Sequence, residues 1–203
     1  MVSALLGAAC GGSGDGGEAS EASNGEDEGT YQGLDLGEPM AKPDVVLTDT
    51  SGNPYDLQSE TRGTVTLLYF MYTTCPDICP IHLAQLANVL AEPDAPENVQ
   101  VVAVTVDPER DTPAKLREYL DTFSADFVGL TGTTEELAAA QRAANVPVAV
   151  KVPDDELGYT MGHAGQVIAY APDGFSYVVY PFGTRQSHYV HDLPLLAAIG
   201  EEA

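Results

Sequence analysis

Two cysteines four positions apart carry the sharpest chemistry in the chain, in the run Thr74-Cys75-Pro76-Asp77-Ile78-Cys79-Pro80. The run follows directly on Val65–Tyr72 (VTLLYFMY), a near-continuous apolar stretch rich in β-formers. Thiolates are nucleophiles and soft metal ligands, and both roles are helped by a lowered pKa. A turn between a strand end and a helix start supplies one, because ligands collect at strand ends in open α/β sheets and a helix N-terminus favours negative charge. Proline suits the first helical position, so Pro80 is expected to open the helix with Cys79 as its cap. Both sulfurs then lie on the turn and can be aimed at one centre. The plain alternative is a pair of buried structural cysteines or an inert disulfide.

Four histidines, Met161 and an acidic run are the other groups with chemistry to offer. Taken alone, His163 is most simply a surface or core histidine. His82 follows Cys79 by three residues and is expected to face solvent. His188 and His191 stand at i and i+3, a spacing that suits weak, adventitious metal binding at most. Met161 is a soft donor whose simpler role is packing. Asp107, Glu109, Arg110 and Asp111 form either a self-neutralising turn or a support for the cysteine loop.

The elements that must position these groups alternate between strand and helix. Val45–Thr48 reads as a strand and residues 51–55 as a turn. Val65–Tyr72 and Val99–Val106 read as strands buried on both faces, with a short strand at Phe127–Leu130. A helix is expected from about Pro80 through Leu83, Leu86 and Leu90. Thr112-Pro113 opens another, ending near Phe123, and Thr133 with Glu136 makes a capping box for a third over 134–144. Residues 166–171 and 177–180 form a hairpin about Pro172-Asp173-Gly174, and 193–199 close the chain as a helix. The order predicts an α/β fold: a central mixed sheet flanked by helices, with a C-terminal hairpin and helix.

The 203 residues hold one ordinary domain and a tail. Eight Lys and Arg against 31 Asp and Glu give a formal charge of −23, which repels phosphate backbones and excludes nucleic acid as a natural partner. Residues 11–42 are dominated at first by Gly, Ser, Glu and Asp, a composition that cannot offset its ordering entropy. They read as a disordered acidic linker with a reach of roughly 30 Å, and residues 43–203 as the folded domain. Met1–Ala9 is a short apolar run ending in small residues just before Cys10. It resembles a bacterial lipoprotein signal, so residues 1–10 are expected to leave a lipidated Cys10 that anchors an extracytoplasmic domain to the membrane. That accounts for the third cysteine and leaves Cys75 and Cys79 as a pair. No other segment reaches the roughly 20 apolar residues of a spanning helix.

The cysteine run with Tyr69-Phe70 ahead of it resembles the signature of the SCO/SenC copper chaperones. Further motifs agree in order: Val106-Asp107-Pro108-Glu109-Arg110-Asp111-Thr112-Pro113, then Gly129-Leu130-Thr131-Gly132-Thr133, then Tyr159 and His163 ahead of the strand that ends at Pro172-Asp173-Gly174. The resemblance spans roughly residues 43–200. It implies a thioredoxin-like fold, a copper site on Cys75, Cys79 and His163, and a role in assembling the binuclear copper site of cytochrome c oxidase subunit II. The donor set is consistent: thiolates select Cu(I), imidazole suits copper in either state, and three ligands fall short of the four of structural zinc. The family commonly has an acidic residue where this chain has Gly162, so the outer partner of the His163 ring must come from elsewhere.

Two other functions fit the same residues. A thiol–disulfide oxidoreductase would use Cys75 and Cys79 as a redox pair on the acceptor's cysteines, although C-x3-C departs from the C-x-x-C spacing of that class. A copper or redox sensor would bind the ion and signal through a partner. The run Thr73-Thr74-Cys75-Pro76 is also similar to a peroxiredoxin pattern, but Cys79 and the later motifs point to the copper family.

Overall fold

The computed structural model describes residues 31–200. Its strands are β1 (Leu34–Ala41), β2 (Val46–Asp49), β3 (Pro54–Asp56), β4 (Val65–Met71), β5 (Val99–Thr105), β6 (Val128–Thr131), β7 (Val150–Asp154), β8 (Gly158–Gly162), β9 (Val167–Tyr170) and β10 (Phe175–Tyr180). Its helices are α1 (Leu57–Glu60), α2 (Ile78–Leu90), α3 (Pro113–Asp121), α4 (Thr134–Ala143) and α5 (Gln186–Ala197). Eight strands make one mixed sheet in the order β1-β10-β9-β4-β5-β6-β2-β3, and β7 and β8 form a separate hairpin. The α/β, thioredoxin-like architecture read from the sequence is the one observed.

β4 lies at the centre and is buried at all seven positions, as its unbroken apolar run requires. It runs parallel to β5, pairing Val65 with Val99 and Met71 with Thr105. It runs antiparallel to β9, pairing Tyr69 with Val167. One end of the sheet therefore gathers three segments: the chain leaving Met71, the chain leaving Thr105, and the chain entering Val167. These carry the cysteines, the acidic run and His163. The site is a consequence of register.

The helix caps are chemical. Thr112 Oγ1 accepts from the Lys115 N–H with Pro113 at the first helical position, and Thr133 with Glu136 forms the reciprocal capping box. The hairpin turn closes through Gly174, whose φ of +87° is the left-handed region that favours glycine.

Four expectations need correction. The strand β1 lies inside the stretch assigned to the linker, so folded chain begins before Pro43. Its Leu36 and Met40 pack on the core, it pairs with β10, and the buried Asp192 carboxylate accepts from the N–H groups of Gln32 and Gly33 at 2.8 and 2.9 Å. The expected turn at 51–55 ends in a strand, since Pro54–Asp56 pairs back onto β2. The last helix starts seven residues earlier than expected and holds Pro194 inside it, because Tyr189, Leu193 and Leu196 are buried and Tyr189 stacks on Tyr180 at 4.0 Å. The start of α2 is the fourth, and it bears on the site. The expectations placed on residues 1–30, Cys10 included, lie outside the described residues.

Candidate metal centre

Asp77, not Cys79, caps α2: its Oδ1 accepts from the Ile78 N–H at 2.6 Å. Pro80 is tolerated at the third position because the first-turn N–H groups have no partner within the helix. Cys79 thus sits in the first turn of α2, fully buried, while Cys75 stays on the loop and is 9% exposed. The Cys79 N–H donates to Cys75 Sγ at 3.4 Å, which aims the positive end of the helix at that sulfur.

The β7–β8 hairpin delivers His163 from the other side, just beyond Gly162. The Nε2 of His163 lies 3.7 Å from Cys79 Sγ, and one ligand atom from each of Cys75, Cys79 and His163 falls within 4.8 Å of the other two. An ion bonded at roughly 2.0 Å to nitrogen and 2.3 Å to sulfur in trigonal geometry would span about 3.8 Å between them. The observed separation needs little adjustment.

The other ring nitrogen, Nδ1, lies 2.8 Å from the Ala164 carbonyl oxygen. A carbonyl only accepts, so Nδ1 carries the proton and the Nε2 lone pair faces the sulfurs. This backbone group does the work of the acidic side chain that Gly162 lacks. The Tyr72 ring meets the imidazole edge-on at 5.6 Å and limits its swing.

Charge is distributed unequally between the sulfurs. The Cys75 thiol is pushed down to about 3, chiefly because the Cys79 thiol donates a hydrogen bond to it, with the Cys79 and Asp77 N–H groups adding to this against desolvation. Cys79 is pushed up, first by that shared hydrogen bond and then by burial. The free pair holds one proton, on Cys79. Alkylation by iodoacetamide should therefore be selective for Cys75 and nearly flat between pH 5 and 7, where an ordinary thiol slows about tenfold per unit. Mass spectrometry of the labelled peptide reads this directly, and a tenfold fall at Cys75 would refute the assignment.

The acidic run proves to be a brace. Asp111, 1% exposed, accepts from the Thr73 N–H at 2.9 Å, from Thr73 Oγ1 at 2.5 Å and from Thr105 Oγ1 at 2.7 Å. It ties the start of the cysteine loop to the end of β5. Asp107 accepts from the Tyr159 hydroxyl at 2.9 Å and pairs with Arg110, whose guanidinium lies 3.7 Å from the Tyr159 ring centroid. Glu109 and Lys151 add an exposed pair at 2.6 Å. These contacts fix the hairpin that carries His163.

An open cleft of about 560 Å³ is lined by Cys75 and His163, with Met161, Val152 and Phe182 on its walls and Cys79 buried behind it. His188 and His191 sit on α5, away from this group, and His191 pairs with Asp192 instead. His82 is not solvent-facing. It is 1% exposed, because Cys79 is helical and a residue three further on shares its buried face. The sequence signal existed, but placing Cys79 off the helix concealed it.

A family model described as SCO1/SenC matches residues 37–198. The mitochondrial SCO2 homologue of Mus musculus is 39% identical over 139 residues, covering 66% of this chain and 54% of that protein. The chain thus spans about half the length of this curated relative. A structure of Bradyrhizobium japonicum ScoI with copper bound is 32% identical, with a TM-score of 0.68 over 77% of this chain and 99% of that one. The apo Sco1 of Thermus thermophilus is also 32% identical, with a TM-score of 0.70 over 82% of this chain and 96% of that one.

Proposed function

The chain belongs to the SCO1/SenC family, and on that premise we propose that it is a copper chaperone: it holds one copper ion through Cys75, Cys79 and His163 and passes it to an acceptor by ligand exchange. The observation that carries this reading is the preformed cluster itself. A thiolate, a thiol whose proton a bound ion would displace and an imidazole lone pair converge within 4.8 Å, and the cleft leaves one side open to an incoming donor. Two sulfurs and one nitrogen suit Cu(I), for which soft ligands and low coordination numbers are favourable. Relatives with this fold have been seen with copper bound.

The acceptor in this reading is cytochrome c oxidase subunit II, reached by a domain tethered through a lipid at Cys10 on the extracytoplasmic face of the membrane. Among the described residues no helix is long and apolar enough to cross a membrane. β1 starts opposite Val179, beside the Pro181 and Phe182 wall of the cleft. The preceding chain therefore enters at the metal end of the sheet, which supports a tether that keeps the site near a membrane-bound acceptor.

The thiolate–thiol pair favours a second reading, disulfide exchange with the acceptor's cysteines, and both activities can share one site. His163→Ala separates them. It should lower copper(I) affinity by about a hundredfold or more, since losing a ligand costs more than losing the group behind one, while leaving reduction of a disulfide substrate within a fewfold. Competition with a copper(I) chelator alongside a disulfide-reduction assay measures both. Undiminished copper binding in the variant would sink the three-ligand centre.

A further inference from the structure

Resting on the copper reading, we propose that His82 is a fourth ligand of this centre, engaged when the ion is copper(II) and held in reserve when it is copper(I). The imidazole is a buried group without an occupation. Both Nδ1 and Nε2 are enclosed and neither has a hydrogen-bond partner, although the ring is 1% exposed. Buried polar groups are nearly always paired, so a fully enclosed imidazole with two idle nitrogens calls for a use. It lies between the Tyr69 ring at 5.1 Å and the Phe182 ring at 5.4 Å.

Its position on α2 points to that use. Cys79 and His82 stand at i and i+3, neighbours on one helix face, and helical side chains lean back toward the N-terminus, here toward Cys79. The same i, i+3 spacing lets a carboxylate and a histidine of one helix share a metal site in di-iron bundles. Of its two ring neighbours, Tyr69 belongs to the strand that leads into the cysteine loop, and Phe182 lines the cleft beside Cys75 and His163. His82 stands outside the 4.8 Å cluster formed by the other three, so engagement requires the ring to turn. Phe182 is the neighbour that the ring and the cleft share. That side chain lines the metal cleft, packs on the His82 ring and is 52% exposed. It stands on a turn beyond the end of β10, so it can swing outward without opening the sheet.

The two oxidation states make different demands. Copper(I) is content with two thiolates and one imidazole, whereas copper(II) prefers a tetragonal set with more nitrogen or oxygen. A second imidazole one helical turn away meets the demand of copper(II), whereas copper(I) leaves it unused.

The test is electron spin-echo spectroscopy of the full chain loaded with one equivalent of copper(II), which counts coupled imidazoles. Wild type, His188→Ala and His191→Ala should each show two, and His82→Phe should show one, with copper(II) binding at least about tenfold weaker. His82→Phe should still take one equivalent of copper(I). A single imidazole in wild type overturns the proposal without any variant, so a misfolded His82→Phe cannot shield it. Two imidazoles persisting in a folded His82→Phe overturn it as well. A wild-type protein that retains no copper in either state would instead overturn the chaperone reading, and this proposal with it.

Discussion

Cys79→Ala should lose copper(I) to a chelator that the wild-type protein outcompetes, with affinity falling by about 10²–10⁴. Binding at structural zinc sites is worth ~10–16 kcal/mol. Three ligands sharing a similar total contribute roughly 3–5 kcal/mol each, and 1.4 kcal/mol is tenfold. The loss is compounded at Cys75, because the Cys79 thiol is the chief reason that sulfur ionises so readily. Without it, copper must displace a proton that the wild-type site has already shed. The fold should survive: alanine is the best helix former, and the deleted sulfur leaves a void smaller than a methylene pair, costing ~1–2 kcal/mol. A folded Cys79→Ala protein that binds copper(I) within tenfold of wild type would remove Cys79 from the centre.

How much of this was open to reading depends on what each residue does. β4 and β5 were plain because a strand buried on both faces must be apolar at nearly every position. α3 and α4 were plain because Thr112-Pro113 and Thr133…Glu136 satisfy backbone groups by side-chain type. The β7–β8 hairpin was not legible. Val150, Val152 and Leu157 are exposed, so its residues carry no pattern imposed by a core, yet it delivers His163. The ligand set itself rested on resemblance, because nothing in the spacing of Cys75, Cys79 and His163 brings them together; the pairing of β9 with β4 does. The outer partner of the imidazole is the Ala164 carbonyl, a group that every residue possesses and that no reading of side-chain types can single out. His82 was misplaced through a single error about where α2 begins.

The second large effect is expected at Asp111, which touches no ligand atom. Asp111→Ala should destabilise the protein by ~3–5 kcal/mol, lowering Tm by roughly 10 °C or more for a domain of this size. The carboxylate is buried and receives three hydrogen bonds, from the Thr73 N–H, Thr73 Oγ1 and Thr105 Oγ1. Alanine strands all three donors in a region with little access to water, and a stranded donor costs more than the net worth of the bond it made. Thr73 lies two residues before Cys75, so the damage should also reach the centre, with copper(I) affinity falling by about 10–100-fold. Glu109→Ala is the matched control, since it deletes a carboxylate from the same run. Its partner Lys151 and Glu109 itself are both well exposed, and such a solvent-screened pair adds little to stability. Chemical denaturation of the three proteins tests the contrast. If Asp111→Ala and Glu109→Ala proved equally stable, the acidic run would be a solvated turn after all, and the cysteine loop would owe its position to something else.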